Sequence, residues 1–357
     1  MSVTPFHQEN HFTSSNIAKL SRHPKRIVFP EPDDERILRV ARELTDRRII
    51  APILVGDRAA LRERAAASGL DLKGIGVVNP RTSSDLPQFC YRFERMERFR
   101  RMEVKHPAEV MTKPHYFATM MVQYGNADGI VGGNSVYPAA FFRPLFHMIA
   151  PQPQCRVASS CLVAVDAAQP NFGQNGILFL ADCGILPDPS VDELAMIAVE
   201  TAKLAAALLG RPPRVAMISH STKGSARTPS AQKMAAATEL ARKRAHDQFI
   251  EADIDGELQV DAALLPEAAK RKEAGGVVAG RADVLIFPDL DAANAASMLM
   301  RVAARPQVYG QLILGLAKPA AQVSRVASEE TIFGTAVAVG VEAIKYHDLF
   351  PPSGLIV

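Results

Sequence analysis

The sequence predicts an α/β protein made of two doubly wound α/β lobes with an active-site cleft between them. Its 357 residues, 48% of them hydrophobic, are enough for a large core divided over two lobes. Short apolar runs alternate with segments of helical spacing, which is typical of parallel sheets with helices on both faces. Two polar runs, at 217–226 and 255–266, follow strand-like segments. Backbone N–H groups beside glycine and small hydroxyls can close around phosphate oxygens, so these runs indicate a polyanionic substrate.

The first lobe shows the alternation most clearly. Residues 26–30, 49–55 and 75–78 are short apolar runs typical of strands. Between them, residues 34–46 and 58–68 have helical spacing. The apolar face of the first of these helices consists of Ile37, Leu38, Ala41 and Leu44.

A further strand, ADGIVGG at 127–133, runs into two glycines, and we expect the sheet to open there onto a ligand crevice. The second lobe begins near Arg156, after a turn-rich segment. Its predicted strands are 177–182, 214–219 and 283–287, and its predicted helices begin at Ser190, in a capping box, and span about 229–251.

The last segment, 309–347, is predicted to be a strand, the loop GLAKPAAQVSR and a closing helix. We expect it to pack on the first lobe, because a cleft needs walls from both lobes. The first lobe therefore comprises 1–155 plus 310–357. The second lobe comprises 156–309.

Composition excludes several classes of protein. The net charge of +3 is too small to indicate nucleic-acid binding. The segment 92–105 holds six arginines or lysines and three acids, a pattern that fits a solvated helix face and an anion-binding site equally well. No apolar run reaches membrane-spanning length and the N-terminus lacks the pattern of an export signal, so we expect a soluble cytoplasmic protein.

Metal and nucleotide motifs are missing from the sequence. The four cysteines lie far apart and the nine histidines include no HExxH motif, so we predict no metal site. In STKGS, at 221–225, the lysine precedes the glycine, which excludes a Walker loop. Without GxGxxG between a first strand and helix, a nicotinamide cofactor is unsupported.

Five segments, in order and spacing, resemble the phosphate acetyltransferase (phosphotransacetylase) and phosphate butyryltransferase family over residues 26–345. They are RIVFPEPDDERIL, GG with FFRP at 132–144, ISHSTKGSA, DGELQVDAA and FPDLDAANAA, joined by the later GLAKP and SR. The resemblance implies an isocitrate/isopropylmalate dehydrogenase-like fold with an interlobe active-site cleft, and a homodimer that assembles through the second lobe, 156–309. It also implies reversible acetyl transfer between coenzyme A and inorganic phosphate, by thiolate attack in a ternary complex. Coenzyme A or acetyl-CoA would be a substrate, and no tightly bound cofactor is expected.

The resemblance assigns roles to several residues. Ser324 and Arg325 match the family's late serine and arginine; the serine would hydrogen-bond the coenzyme A sulfur and the arginine would stabilise charge on the acyl group. Arg143 matches an arginine that holds phosphate, a role suited to the planar fork of a guanidinium. A second such arginine belongs in the basic cluster, where Arg95 and Arg98 both fit and Arg95 is preferred.

The turn in the second lobe offers further candidates for substrate binding. Ser221, Thr222, Lys223 and Gly224 resemble the family's turn between a strand and a helix, and they would contact substrate or only cap the helix that follows. Polar side chains alternate along 255–259, as on a strand. One face of this strand would line the cleft, or its acidic side chains would be buried with partners. In the first lobe, Ser135 remains as a candidate substrate-binding hydroxyl.

Three departures from the family pattern bear on activity. Val326 replaces the family's glycine after SR, and valine tolerates positive φ poorly. Thr331 occupies the position of an aspartate proposed to deprotonate coenzyme A, which makes the adjacent Glu330 the candidate base. In 134–142, Ser135 and Tyr137 remain, but Pro138, Phe141 and Phe142 make this segment bulkier and more apolar than the usual hydroxyl-rich stretch. Transfer of propionyl or butyryl groups, and a non-catalytic acyl-CoA-binding dimer, therefore remain alternatives.

Overall fold

The computed structural model of the protein describes residues 9–96 and 106–349. The strands, in chain order, are β1 (Lys25–Phe29), β2 (Ile50–Val55), β3 (Gly76–Val78), β4 (Gly129–Gly132), β5 (Ser159–Val165), β6 (Ile177–Ala181), β7 (Arg214–Ile218), β8 (Asp253–Leu258), β9 (Val284–Ile286), β10 (Gln307–Leu314) and β11 (Ala320–Gln322). The helices, in chain order, are α1 (His11–Arg22), α2 (Glu35–Asp46), α3 (Arg58–Ala67), α4 (Leu86–Arg95), α5 (Pro107–Met111), α6 (Pro114–Gln123), α7 (Pro138–Met148), α8 (Val191–Leu209), α9 (Pro229–Asp247), α10 (Val260–Leu264), α11 (Pro266–Arg271), α12 (Leu290–Ala303) and α13 (Glu329–Leu349).

The chain forms two compact units. Among the described residues, unit 1 holds residue 9 and the segments 13–152 and 316–349, and unit 2 holds 10–12 and 153–315. Each unit has its own strands and flanking helices, so the predicted α/β class is confirmed. None of the helices in the described part of the chain combines the length and the apolar character needed to cross a membrane.

Unit 1 contains the strands β3-β2-β1-β4-β11 in that spatial order, and every pair is parallel, as predicted. Helices cover both faces. A Cβ atom added to Gly129 would lie 2.6 Å from Val339 of α13, whereas one added to Gly132 would lie 2.6 Å from Phe141 of α7. Residues three apart on a strand point to opposite faces, so α13 and α7 lie on opposite sides of the sheet.

Helix α2 shows why this sequence takes up its local structure. Asp34, the N-cap, accepts a hydrogen bond from the backbone N–H of Arg36 and thereby satisfies one of the exposed donors of the first turn. The four residues predicted to form the apolar face, Ile37, Leu38, Ala41 and Leu44, are all buried. The helix packs on β2 and against α13, and this places its N-terminus beside the end of β1.

Unit 2 contains the strands β10-β5-β6-β9-β7-β8, and its sheet is mixed rather than wholly parallel. β5 is antiparallel to both β10 and β6, whereas β6, β9, β7 and β8 are parallel. The connection between β5 and β6 carries no helix, and a parallel crossover needs a longer, usually helical, connection. The predicted capping box at Ser190 is confirmed: its side chain accepts from the Glu193 N–H, and the Glu193 side chain accepts from the Ser190 N–H.

The segment predicted as one long loop after residue 314 contains the short strand β11. It pairs in parallel with β4, with Ala320 opposite Ile130 and Gln322 opposite Gly132. Three residues are too few to show an alternating pattern, so this strand could not be predicted from the sequence. This strand matters for the candidate site, because it places the following residues, Ser324 and Arg325, beside the end of β4.

Candidate active site

Three adjacent parallel strands of unit 1 end at one edge of its sheet. Ile27 of β1 lies opposite Gly129 of β4, and Gln322 of β11 lies opposite Gly132. The segments that follow these strands therefore emerge side by side: Glu31 after β1, 133–135 after β4, and 323–325 after β11. In doubly wound folds, ligands bind outside the carboxyl ends of the strands, and this edge is the candidate site.

Gly133 allows the second and third of these segments to touch. Its φ is +91°, and a Cβ atom there would lie 2.8 Å from Cγ of Gln322 and 3.1 Å from the carbonyl oxygen of Val323. The N–H of Val323 donates to the carbonyl of Gly132 at 2.8 Å. A side chain at Gly133 would push the loop that carries Ser324 and Arg325 away from β4.

Glu31 is a buried carboxylate, 7% exposed, that holds the 133–135 loop. Its Oε1 accepts from the Gly133 N–H and contacts His115 Nε2, each at 2.7 Å. Its Oε2 accepts from the Ser135 N–H at 2.5 Å and from the Ser135 hydroxyl at 2.7 Å. Burial opposes ionisation, but the hydrogen bonds from His115, Gly133 and Ser135 outweigh it and lower the pKa of Glu31. The carboxylate is therefore charged at neutral pH.

Arg36 joins the 133–135 loop to the loop that carries Ser324 and Arg325. Its Nε donates to Asp34 at 3.0 Å, which fixes the guanidinium. Its Nη1 donates to the carbonyls of Arg325, at 3.0 Å, and Ala327, and its Nη2 donates to the carbonyl of Asn134 at 3.2 Å. A single side chain at the start of α2 thus restrains both loops.

Ser324 and Arg325 lie in this restrained loop. The Ser324 side chain is half-buried, and its Oγ accepts from the Val326 N–H at 3.4 Å, which leaves its own proton available to a ligand. The Arg325 guanidinium is exposed and lies 4.4 Å from the centre of the Tyr137 ring, and no carboxylate of the described residues pairs with it. Its N–H edges are therefore available for an anion.

Val326 does not need the conformational freedom of the glycine it replaces. It is absent from the set of described non-glycine residues with positive φ, and its side chain is 89% exposed. The loop thus accommodates valine without backbone strain at this position.

The start of α13 contains the two candidates for the base position. The Ser328 hydroxyl donates to the Thr331 hydroxyl at 3.2 Å and accepts from the Thr331 N–H at 3.1 Å, so Thr331 takes part in capping the helix. Glu330 is half-buried in the first turn, and Glu329 lies 3.6 Å from Arg39. A carboxylate thus stands beside the threonine, as the sequence predicted.

The other predicted arginines lie on helices of unit 1. Arg143 is exposed on α7, pairs with no carboxylate of the described residues, and lies near Tyr116. Arg95 is the last residue of α4; its guanidinium donates to the hydroxyl of Tyr91 at 2.8 Å, one turn earlier. Arg98, the alternative to Arg95, lies outside the described residues.

In unit 2, the predicted turn follows β7 and lies beside the end of β8, its parallel neighbour. Ser221 is fully buried; its hydroxyl donates to Glu257 at 2.8 Å and accepts from the Ala226 N–H at 3.0 Å. Thr222, 6% exposed, exchanges hydrogen bonds with Gln259: its hydroxyl donates to the side-chain oxygen and accepts from the backbone N–H. These two hydroxyls hold the turn together and do not face solvent.

Lys223 and Gly224 are the exposed part of the same turn. Both have positive φ, +51° and +81°. The Lys223 ammonium pairs with Asp255, and the Gly224 N–H donates to Glu257 at 2.7 Å. The alternating acids of β8 are therefore buried with partners. Of the two alternatives, a strand face that lines the cleft or buried acids with partners, the structure has the second.

Ser135, Ser324 and Arg325 are predicted from the sequence, and the side chains that position them are not. The missed residues are Glu31, Asp34, Arg36, His115 and Asn134. Glu31 and Arg36 belong to the segment PEPDDER directly after β1, and a polar run at the end of a strand is a usable signal. His115 gave none, because its contact joins residues 84 apart in the chain. Within 9–96 and 106–349, no group of three or more potential metal ligands is found.

Known proteins resemble this chain over almost its whole length. Residues 11–339 match the model of the phosphate acetyl/butaryl transferase family. The phosphate acetyltransferase of Acetivibrio thermocellus is 36% identical over 334 residues, which cover 93% of this chain and 98% of that protein. A phosphotransacetylase from Streptococcus pyogenes has a TM-score of 0.86 at 30% identity and covers 95% of this chain and 100% of its own.

The fold extends to more distant proteins. The 4-hydroxythreonine-4-phosphate dehydrogenase of Klebsiella pneumoniae has a TM-score of 0.51 at 12% identity, over 89% of this chain and 99% of that one. This likeness concerns the fold alone, and it links the chain to the predicted isocitrate/isopropylmalate dehydrogenase-like class.

Proposed function

This chain belongs to the phosphate acetyl/butaryl transferase family, and from that premise we propose that it transfers an acetyl group reversibly between coenzyme A and inorganic phosphate. The observation that carries the proposal is the position of Ser324 and Arg325. Both follow β11 at the carboxyl edge of the unit 1 sheet, with an available hydroxyl proton and a guanidinium without a carboxylate partner among the described residues. These are the groups that the chemistry requires.

The reaction joins a thiolate to an acyl phosphate. The coenzyme A sulfur attacks the carbonyl carbon, the bond from that carbon to the phosphate oxygen breaks, and inorganic phosphate leaves. Negative charge develops on the carbonyl oxygen and on the leaving phosphate, so donors aimed at those oxygens accelerate the step. In the proposal, Arg325 serves the acyl group, Arg143 and Arg95 serve the phosphate, and the Ser324 hydroxyl donates to the sulfur.

The thiol proton must be removed before or during the attack, because the thiolate is the nucleophile. Glu330 is the proposed base, in place of the carboxylate that Thr331 does not supply. Loss of a general base typically costs about 10²–10⁴-fold in rate, so a poorly placed Glu330 still permits turnover.

The unit 2 turn has a divided role in this proposal. Ser221 and Thr222 are buried in the turn's own hydrogen bonds and shape it. Lys223 is exposed, and its ammonium would meet an anionic part of the substrate, because the Asp255 carboxylate with which it pairs is also bound by Arg242. Gly224 is exposed too, but its N–H is already taken by Glu257. This arrangement supports a positively charged contact from Lys223 rather than a grip by the two hydroxyls.

We also propose a cytoplasmic homodimer that assembles through unit 2. Helix α12 has an exposed apolar stripe at helical spacing, made of Ala295, Met298, Leu299 and Val302. Contiguous exposed apolar side chains mark protein interfaces more often than ordinary surface. The stripe supports dimerisation by the second lobe, which the sequence predicted.

The main alternative concerns the identity of the acyl group that is transferred. Phe141 is buried and Phe142 is half-buried, and the more apolar wall that they form is the reason to test longer acyl groups such as propionyl or butyryl. The test is thioester formation from coenzyme A and acetyl, propionyl or butyryl phosphate, followed by absorbance. Turnover above the uncatalysed rate would support the proposal and name the acyl group. Coenzyme A binding without turnover on any acyl phosphate would instead favour the non-catalytic acyl-CoA-binding dimer.

A further inference from the structure

The Ser135 hydroxyl can offer only its lone pairs to a ligand. Its proton points to Oε2 of Glu31 at 2.7 Å, and an ionised carboxylate accepts hydrogen bonds but donates none. Ser135 is exposed, so the remaining lone pairs of its oxygen face outward. A hydroxyl in this state binds a donor, such as N–H or S–H. It does not donate to a phosphate oxygen.

The backbone around Ser135 is also unsuited to phosphate. Phosphate-binding loops point consecutive N–H groups at the anion. Here the N–H groups of Gly133 and Ser135 both point inward, to the two oxygens of Glu31. The negative charge of this buried carboxylate lies directly behind the loop and repels a second anion.

Asn134 completes a set of acceptors. Its side-chain N–H₂ donates to the Glu31 carbonyl at 3.3 Å and to Asp34 at 3.0 Å, so both donors are used. Its side-chain oxygen is buried and has no donor among the described residues. The 133–135 loop thus presents acceptors, and the N–H groups of Gly133 and Ser135 and the Ser135 hydroxyl proton are all taken up by Glu31.

We propose that Ser135 is a specificity-determining contact that accepts a hydrogen bond from the coenzyme A arm, from its thiol S–H or an amide N–H, and that the 133–135 loop does not bind phosphate. This inference rests on the proposed function and deepens it. The sequence predicted Ser135 only as a substrate-binding residue; the direction of its hydrogen bond selects the thiol substrate over the anionic one. Phosphate is left to Arg143 and Arg95.

Calorimetric binding of coenzyme A and of inorganic phosphate, measured separately, tests the inference without relying on turnover. Ser135→Ala removes the acceptor and is expected to weaken coenzyme A binding by about threefold to tenfold, the usual worth of one neutral hydrogen bond. Phosphate affinity should stay within about twofold. Ser135→Thr keeps the hydroxyl and should restore coenzyme A binding. Weaker phosphate binding with unchanged coenzyme A binding in Ser135→Ala would overturn the proposal.

Desulfo-coenzyme A, in which hydrogen replaces the thiol, identifies the donor. If Ser135→Ala weakens binding of coenzyme A but not of the desulfo analogue, the thiol is the donor; if it weakens both equally, an amide is the donor. Equal affinities of wild type and Ser135→Ala for both ligands would refute the contact.

Glu31→Gln removes the negative charge behind the loop. Each carboxylate oxygen of Glu31 accepts a backbone N–H, from Gly133 or from Ser135, so an amide nitrogen in either position meets a donor and releases that N–H. We therefore expect phosphate to bind more tightly in this variant, because the repulsion is lost and an N–H is released, once its circular dichroism shows that it is folded. Weaker phosphate binding in a folded variant would contradict the inference. Failure of the proposed function looks different: it is coenzyme A binding by the wild type without turnover.

Discussion

Replacement of Gly133 by alanine is the sharpest test of how the candidate site is built. Two costs can be read from the structure. An L-residue at the φ of +91° is strained by roughly 1–2 kcal/mol. A Cβ atom 2.8 Å from Gln322 Cγ and 3.1 Å from the Val323 carbonyl forces a shift of the neighbouring backbone, a crowding that typically costs about 1–3 kcal/mol. The expected loss of unfolding free energy is therefore roughly 2–5 kcal/mol.

Gly125→Ala is the matched control for Gly133→Ala. Gly125 is exposed, its φ is +80°, and a Cβ atom there would meet nothing within 4 Å. It shares the backbone strain and the change in unfolded-chain entropy but lacks the crowding. The difference between the two variants in guanidinium chloride unfolding isolates the packing cost, expected at about 1–3 kcal/mol.

Activity gives a second readout of the same pair. Gly133→Ala should lower turnover at least about tenfold, because it displaces both the Glu31-held loop and the loop with Ser324, and small misplacements of reacting groups are costly. Gly125→Ala should leave turnover unchanged. Equal destabilisation of the two variants, or full activity of Gly133→Ala, would refute the account of the contact between these loops.

Three further predictions address charge, assembly and pH. Arg325→Ala should lower kcat about 10²–10³-fold with the fold intact, because it removes a donor to the developing negative charge, while Arg62→Ala, an exposed arginine of α3, should not change kcat. Leu299→Asp should convert the proposed dimer to a monomer in light scattering, because Leu299 is 69% exposed on α12; a persistent dimer would exclude this stripe as the interface. Asp283→Asn should cost about 3–5 kcal/mol at neutral pH, because Asp283 is fully buried and bound by two arginines. The arginine hydrogen bonds outweigh burial and lower the pKa of Asp283. The stabilisation by its charged carboxylate is therefore complete above the ordinary pKa of 3.8 and is lost as the pH falls below it. A difference in stability between wild type and variant that persists in acid would contradict this.

The elements that the sequence predicted well are those with a local physical cause. Strand β1 and helix α2 follow from apolar spacing and an aspartate cap, and the start of α8 follows from a capping box at Ser190. Ser324 and Arg325 were found through a motif, and the motif carried no information about what surrounds them. Local patterns thus predict the strands and helices from which the candidate site is built, and the roles of Ser324 and Arg325 stay a prediction.

The features that escaped prediction depend on contacts between distant parts of the chain. The antiparallel pairing of β5 depends on which strands lie beside it in the folded sheet. Likewise, β11 forms by pairing with β4, which lies far from it in the sequence. The network of Glu31 joins residues 84 to 104 positions apart. A hydrogen bond of this kind also decides whether a hydroxyl donates or accepts, so the direction at Ser135 could not be known from its residue type.

The site of unit 1 separates two kinds of ligand chemistry within three neighbouring segments. The loop after β11 offers the guanidinium of Arg325 and the hydroxyl proton of Ser324, both of which suit atoms that carry or gain negative charge. The loop after β4 offers acceptors backed by the carboxylate of Glu31, which suit a neutral donor. A single ligand cannot satisfy both loops with one kind of group, but an acyl phosphate and a thiol can satisfy them together. The proposed direct transfer of the acyl group from phosphate to sulfur requires both substrates to be bound at once, and these two loops would divide their recognition in that way.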